Sequence, residues 1–320
     1  MLTKELRRFL LRGTDPSVRY FTLRDLLDRP ESDPAVRRAR SEIGREGWAA
    51  RILGGQQKGG FWERFNGDGD ELYGPKYIAT NWRLIVLSDL GMTRRDPRVR
   101  KAAELLLKTW DQPRGGVFGG KYSEVCVTGN CVRMMTRFGY REDERVQRAI
   151  DWLVKVQKKD GGWHCFPSRT GTLDGWEPMA AFAAVPPQER SAGVRRAIER
   201  GAEFYLGRRL LRDPDGVRYR PWERLHYPNH YYYDLLVGLD FLTAVGYGSD
   251  PRMRRALDLL GSKRRRDGAW ALEGIHPDLE PDSPYRPKTP VYPMMLEYPG
   301  QPSRWATMLA LRVQRRAGRL

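Results

Sequence analysis

An acidic stretch, Asp68-Gly69-Asp70-Glu71, brings three carboxyl groups together within four residues. A carboxylic acid donates a proton near neutral pH only when burial and neighbouring charges keep it protonated. Asp68, Asp70 and Glu71 are therefore candidate proton donors. The glycines beside them are also typical of a solvent-exposed loop. Calcium binding is a third interpretation, but the rest of an EF-hand ligand pattern is missing from the sequence.

Cysteine and histidine side chains form a second group of candidates. Glu124 and Cys126 lie just before a predicted helix, Cys165 follows a Gly-Gly-Trp turn, and His230 begins another predicted helix. These residue types bind transition metals when the fold brings them to one point. The alternative is that the cysteines are small buried apolar side chains.

Aromatic residues gather at the starts of predicted helices and form a third group. They are Tyr73, Tyr77, Trp82, Trp176, Tyr231, Tyr232, Tyr233 and Trp305. Aromatic faces stabilise positive charge and also form apolar walls of binding sites. Core packing is the alternative. Lys76 and Arg83 lie among these residues, where they would either contact an anionic group or point into solvent.

A glycine-aromatic turn marks the elements that must position these residues. It occurs at 57–62, 112–118 and 157–163, with weaker copies at 215–217 and 266–270. A period of about fifty residues indicates one helical unit that is repeated and that buries its apolar face only against its neighbours. Trp62, Trp163 and Trp270 are predicted to pack over helix ends as structural staples.

Each repeat contains two predicted helices. A first helix stops at a glycine such as Gly91 or Gly139, and a second begins at an aspartate such as Asp96, followed by Pro97. The predicted first helices are 16–28, 78–90, 127–138, 175–185, 230–245 and 303–317, and the second are 34–53, 97–110, 143–156, 191–208 and 251–263. A helix over 3–12 would be the sixth outer helix and would close a ring against the C-terminal helix. We predict one all-α domain over 1–320.

Composition limits the remaining possibilities. Three cysteines in 320 residues do not make a disulfide framework, which favours a reducing cytoplasm. The sequence has no apolar run long enough to cross a membrane. The net charge of +17 is typical of a solvated, arginine-rich helix surface. Contact with an anionic membrane surface is an alternative, and nucleic-acid binding is another that no recognised motif supports.

The turns Gln-x-x-Asp-Gly-Gly-Trp after Ala- and Leu-rich helices resemble the prenyltransferase and squalene-cyclase repeat, over roughly residues 30–317. Squalene-hopene cyclases, class II diterpene cyclases and protein prenyltransferase β subunits share this repeat. The similarity is greatest to compact prokaryotic members of unsettled activity. The resemblance implies an α/α toroid of about six helical hairpins around a central apolar cavity.

The same resemblance implies an isoprenoid-handling protein, either cyclase-like or prenyltransferase-like, whose ligand is a prenyl chain or its diphosphate. Class II cyclases protonate an alkene with an Asp-x-Asp-Asp motif, which the segment from Asp68 departs from at Glu71. Lys76 and Arg83 would then contact a diphosphate. The alternatives are a non-catalytic lipid-binding or peptide-binding toroid and a basic scaffold for a membrane or nucleic acid.

Zinc is the cofactor that the prenyltransferase branch of the resemblance implies. Those enzymes hold zinc with an aspartate, a cysteine two residues later and a histidine from a later inner helix. In this sequence Glu124 replaces the aspartate, Cys126 follows it, and His230 lies two repeats further on. Cys165 would complete the set. We therefore expect a zinc site of Cys126, Cys165 and His230, with Glu124 beside it.

Overall fold

The computed structural model describes residues 2–63, 72–110, 116–117, 124–212, 215–275 and 296–320. These ranges are mostly helical, with one short antiparallel pair, Trp270–Ala271 and Pro302–Ser303. The fold is therefore all-α, as predicted. In the described ranges, every helix is too short or too polar to cross a membrane.

The helices follow the predicted order along the chain. They are α1 (Lys4–Leu11), α2 (Pro16–Phe21), α3 (Pro34–Glu42), α4 (Gly47–Gly54), α5 (Thr80–Asp89), α6 (Pro97–Leu107), α7 (Val125–Phe138), α8 (Glu144–Lys155), α9 (Glu177–Ala184), α10 (Ala192–Gly207), α11 (Leu235–Ala244), α12 (Arg254–Ser262) and α13 (Arg304–Arg316). After α2 the chain continues as a π-helical turn, Thr22–Leu26.

The inner layer of the toroid consists of α2, α5, α7, α9, α11 and α13. From α5 to α13 each inner helix packs against the next, and α13 packs against α2 and the π-helical turn, so the series returns to its beginning. Every residue from Thr80 to Ser88 of α5 is buried. A helix that is buried on all sides belongs to the interior of the fold.

The outer helices are amphipathic instead. In α8 the buried residues are Val146, Ala149, Ile150 and Leu153, spaced along one face of a helix. The α6, α8 and α10 helices each pack on an inner helix of the same or a neighbouring repeat. This two-layer arrangement of helical hairpins is the predicted α/α toroid.

Aspartate caps begin the outer helices as predicted. The side chains of Asp33, Asp96, Asp143 and Asp250 each accept a hydrogen bond from the backbone N–H two residues later, at 2.8, 2.9, 3.0 and 2.8 Å. These bonds satisfy donors that the first helical turn leaves free. The first-helix stop at Gly139 is also confirmed, since its φ is +96°.

The predicted helix over 34–53 is wrong in one respect, because it is two helices, α3 and α4. The backbone of Gly47 has a φ of +69°, which glycine adopts without strain. A Cβ at Gly47 would lie 2.1 Å from the Asp15 carboxylate. That carboxylate instead accepts a hydrogen bond from the Trp48 N–H at 2.6 Å, which starts α4 in a new direction.

The three predicted tryptophan staples are confirmed. The indole N–H groups of Trp62, Trp163 and Trp270 donate to backbone carbonyls at the ends of outer helices, at 2.7, 2.8 and 2.7 Å. The glutamine of the repeat bridges to the next outer helix, since the amide of Gln157 donates to Ala197 O at 2.9 Å. The equivalent glutamine in the first copy is Gln56, one residue before the predicted Gln57, and it donates to Arg98 O at 3.0 Å.

The first helix lies between the two ends of the inner series. α1 packs against α2 and α13, and the Arg304 guanidinium donates to Phe9 O at 3.1 Å. The extent of a single domain over 1–320 stays a prediction.

Candidate functional site

Aromatic rings form a cluster where α5 begins. The ring of Trp82 lies 4.9 Å from Tyr73 and 5.1 Å from Tyr77, measured between ring centroids. The imidazole of His230 and the ring of Tyr231 complete the cluster, at 5.4 and 5.9 Å from Trp82. The hydroxyl groups of Tyr77 and Tyr231 are hydrogen-bonded at 2.5 Å. This part of the predicted aromatic set therefore does converge.

The predicted cations lie beside this cluster in different ways. The Lys76 ammonium lies 5.3 Å from the centre of the Tyr231 ring. Arg83 is buried and donates to Ile78 O at 3.1 Å, and burial lowers its pKa to about 10. Arg83 is thus held by the backbone of its own repeat.

The other predicted aromatic residues are distributed through the protein. Tyr233 is buried in the core, where its hydroxyl donates to Leu210 O at 2.9 Å. Tyr232 packs on the imidazole of His226, with centroids 4.7 Å apart. Trp176 and Trp305 both line a central cavity. The predicted aromatic funnel is therefore not one surface.

The thiols of Cys126 and Cys165 lie together. The hydrogen bond with Cys165, together with burial, raises the pKa of Cys126 well above its ordinary value. The Cys126 thiol also donates to the Glu124 carboxylate at 3.8 Å. The imidazole of His230 lies instead in the aromatic cluster, 5.2 Å from the ring of Tyr77.

This arrangement does not support the zinc prediction. In the part of the chain that the structure describes, no three His, Cys, Asp or Glu side chains are placed to hold a metal ion. The predicted acids Asp68, Asp70 and Glu71 lie outside the described residues.

A different carboxyl group, missed by the sequence analysis, lies at the start of α9. Glu177 is fully buried. Apart from the N–H of its own residue, neither carboxyl oxygen has a hydrogen-bond partner in the described residues. α7 and α9 approach closely here, because a Cβ on Gly129 would lie only 2.6 Å from the Cβ of Glu177.

Burial dominates the electrostatics of Glu177. It raises the pKa of the carboxyl group well above its ordinary value, the neighbouring Cys126 adds to the shift, and Arg133 opposes it. Burial therefore favours the neutral, protonated form of this carboxyl group. A sequence signal did exist, because Glu177 is the only carboxyl group within the otherwise apolar helix Glu177–Ala184.

A cavity of about 380 Å³ lies between the inner helices. Its wall includes aromatic and apolar side chains, among them Phe21, Trp176, Ala180, Tyr227, Phe241, Trp305 and Leu309. The wall also carries charged side chains: Arg40, Asp89, Arg133, Arg137, Asp240, Arg312 and Arg316. The expected central cavity is present, but it is not uniformly apolar.

Trp176 and Arg133 connect the acid to the cavity. Both line the cavity, and the Arg133 guanidinium lies 5.2 Å from the centre of the Trp176 ring. Trp176 also donates from its indole to Tyr231 O at 3.1 Å. Glu177 follows Trp176 directly, so its backbone adjoins a residue of the cavity wall, although Glu177 itself does not line the cavity.

Comparison with known proteins confirms the resemblance to terpene cyclases. Residues 67–170 match the family described as squalene-hopene cyclase C-terminal domain. A curated relative, terpene cyclase/mutase atnI from Arthrinium sp, is 25% identical over 59% of this chain and 32% of that relative. The chain therefore spans about a third of the length of the curated relative it matches.

Two solved structures are also similar. A protein from Actinoplanes matches with a TM-score of 0.48 and 19% identity, covering 98% of each chain. A variant of the type II terpene cyclase MstE from Scytonema, in complex with geranylgeranyl dihydroxybenzoate, matches with a TM-score of 0.36 and 14% identity. That match covers 85% of this chain and 96% of the other.

Proposed function

We propose that the protein is a terpenoid cyclase-like enzyme that binds an isoprenoid in its central cavity and starts the reaction by protonating an alkene from Glu177. The observation that carries this proposal is the fully buried carboxyl group of Glu177 beside the cavity-lining Trp176. The family match over 67–170 supports the same class of reaction.

The acid has the properties that this chemistry requires. An alkene is a weak base, so the donor must be a protonated acid. Water must also be excluded, because it would otherwise accept the proton in place of the alkene. Burial raises the pKa of Glu177 and so favours its protonated form. Asp174, three residues earlier, is exposed, and burial of its carboxyl group raises its pKa only to about 6.

The proton transfer can be followed atom by atom. The O–H bond of Glu177 breaks, the π electrons of the alkene form a new C–H bond, and a positive charge remains on carbon. Faces of aromatic rings such as Trp176 stabilise that cation, while Arg133 offsets the carboxylate left on Glu177. The cation then loses a proton to water, or captures water and releases a proton from the resulting oxonium ion. An equivalent proton returns from the solvent to the Glu177 carboxylate.

The prenyltransferase-like alternative is less well supported, because it needs a metal-activated thiol. The thiol pair of Cys126 and Cys165 lacks a third metal ligand in the described residues. A non-catalytic lipid binder would use the same cavity without needing a protonated acid. Turnover therefore distinguishes a cyclase-like enzyme from a non-catalytic lipid binder.

The test is to incubate the purified protein with squalene, geranylgeranyl diphosphate and a geranylgeranyl benzoate, and to analyse products by gas or liquid chromatography with mass spectrometry. We expect a cyclic product from one of them that carries one deuterium when the reaction runs in D₂O. Glu177→Gln keeps the shape of the side chain and should lower the rate about 100-fold or more.

Asp174→Asn is the matched control and should keep wild-type turnover. Equal rates for wild type and Glu177→Gln would overturn the role of Glu177. Loss of turnover in Asp174→Asn alone would move the role to Asp174. Binding of these compounds without any product from the wild-type protein would favour the non-catalytic binder.

A further inference from the structure

Positive charge is in excess in the central cavity. In the described residues its wall carries five arginines, Arg40, Arg133, Arg137, Arg312 and Arg316, and two aspartates, Asp89 and Asp240. An enclosed space with such an excess of one sign attracts the opposite charge.

The two aspartates are each shared between arginines. Asp89 pairs with Arg137 and lies 3.6 Å from Arg133. Asp240 pairs with Arg312 and Arg316, at 2.9 Å each. Although burial opposes it, Arg312, Arg316 and Arg137 hold the pKa of Asp240 below its ordinary value. The two groups of charges therefore face the same space.

Two of the arginines are incompletely compensated. The Arg133 side chain is only 8% exposed, its Nε has no hydrogen-bond partner in the described residues, and burial lowers its pKa. Arg40 lies over the ring of Tyr20 at 4.9 Å and has no carboxylate within ion-pair distance in the described part of the chain. A buried cation without a full partner is costly, and a bound anion would offset that cost.

Helix dipoles explain part of this arrangement. Arg40 and Arg137 lie in the last turns of α3 and α7, and Arg316 lies in the last turn of α13, where cations stabilise the negative ends of helices. Arg133 and Arg312 lie before the last turns of their helices, so the dipole does not account for them.

We infer that the arginine-lined part of the cavity binds the anionic head group of an amphipathic ligand, a phosphate or carboxylate, whose apolar body lies against Trp176, Phe241 and Trp305. The volume of about 380 Å³ lies in the range of small-molecule sites. That this ligand is the substrate rests on the proposed function, whereas anion binding itself does not.

Calorimetry with inorganic pyrophosphate tests the anion site without any turnover. Wild-type protein should bind pyrophosphate with one-to-one stoichiometry, and the affinity should fall as salt rises. Arg133→Gln and Arg40→Gln should each weaken binding about tenfold or more. Arg40 is only half-buried, so its variant keeps the test decisive if Arg133→Gln does not fold.

Arg38→Gln is the matched control, because Arg38 is exposed on the same helix as Arg40 and does not line the cavity. Its affinity should equal that of wild type. Absence of pyrophosphate binding, or equal weakening in Arg38→Gln, would overturn the anion site.

Prenyl ligands then identify the head group. Geranylgeranyl diphosphate or geranylgeranoic acid should bind at least tenfold more tightly than geranylgeraniol, which has the same apolar chain and no charge. The tighter of the two anions assigns the head group as phosphate or carboxylate. Equal affinity of the alcohol would overturn the inference. Glu177→Gln should bind pyrophosphate as wild type does, so failure of the proton donor and failure of the anion site are separate results.

Discussion

The inner helices present different chemistry at their starts and in their later turns. Around the start of α9, Glu177 is buried near the Cys126 thiol and forms no ion pair with any residue that the structure describes. In the middle and later turns of α5, α7, α11 and α13, arginines and aspartates form shared ion pairs. One region stabilises a carboxyl group by keeping it neutral, and the other by keeping it ionised. The same toroid can therefore offer a proton at one place and a charged surface at another.

The largest expected effect on stability comes from the shared ion pairs of Asp240. Asp240→Asn leaves Arg312 and Arg316 without their shared carboxylate, although Arg312 keeps Asp25 at 3.1 Å. Since Asp240 is partly exposed, we expect a loss of about 2 kcal/mol, less than for a fully buried pair. Urea unfolding measures it. Phosphate should restore part of the loss, and a variant as stable as wild type would show that the pairs contribute little.

The next largest effect on stability is expected where α7 packs closely against Glu177. Gly129→Ala forces a methyl group into the contact between α7 and Glu177, and should cost about 1–2 kcal/mol. Gly207, at the end of α10, has open space around it, so Gly207→Ala should be neutral or slightly stabilising. If thermal unfolding shows equal effects for both, the close approach of α7 and α9 does not position the acid.

The dependence of stability on pH should have opposite signs at the two regions. The pKa of Glu177 is raised from 4.5 in the folded protein, so its contribution is complete below pH 4.5 and is lost as pH rises toward the folded pKa. The pKa of Asp240 is lowered from 3.8, so its contribution is present above that pH and is lost as pH falls.

The variant Glu177→Gln isolates the pH dependence of stability that comes from Glu177. The stability difference between the variant and wild type should shift in favour of the variant as pH rises from 4.5, by about 1.4 kcal/mol for each unit by which the pKa is raised. Chemical unfolding at a series of pH values provides the measurement. A difference that stays constant with pH would mean that Glu177 ionises normally in the folded protein.

The smallest effect is expected for an ion pair outside the cavity. Arg319 and Asp258 are paired on the surface, where the Asp258 side chain is 61% exposed. Asp258→Asn should change the free energy of unfolding by about 0.5 kcal/mol or less. A loss as large as that of Asp240→Asn would remove the distinction between cavity and surface charges.

Local rules in the sequence were enough to predict most of the fold. Aspartate caps, glycine stops and the Trp62-type turns act over a few residues, so they define helix boundaries without knowledge of the rest of the chain. The break at Gly47 was not predictable in this way, because its cause is the carboxylate of Asp15, far away in sequence.

The candidate site was less predictable for the same physical reason. The arginine-rich composition predicted solvated helix surfaces, yet the Arg312 side chain is only 13% exposed and pairs with Asp25 and Asp240. Glu177 acquires its properties from Gly129 and Cys126 on another helix. Burial and pairing across helices depend on the closed ring, which the periodicity predicts only in outline.

The turns that join outer and inner helices have a further consequence for how the ring holds together. The backbone N–H groups of Trp62, Val117 and Trp270 donate to the threonine hydroxyls of Thr80, Thr128 and Thr307 at 3.1, 3.0 and 2.9 Å. Each of these hydrogen bonds fixes a turn to the next inner helix through the backbone of the turn. It does not depend on the side chains that this helix presents to the cavity. Part of what holds the ring together is therefore backbone contact that does not involve the side chains facing its centre.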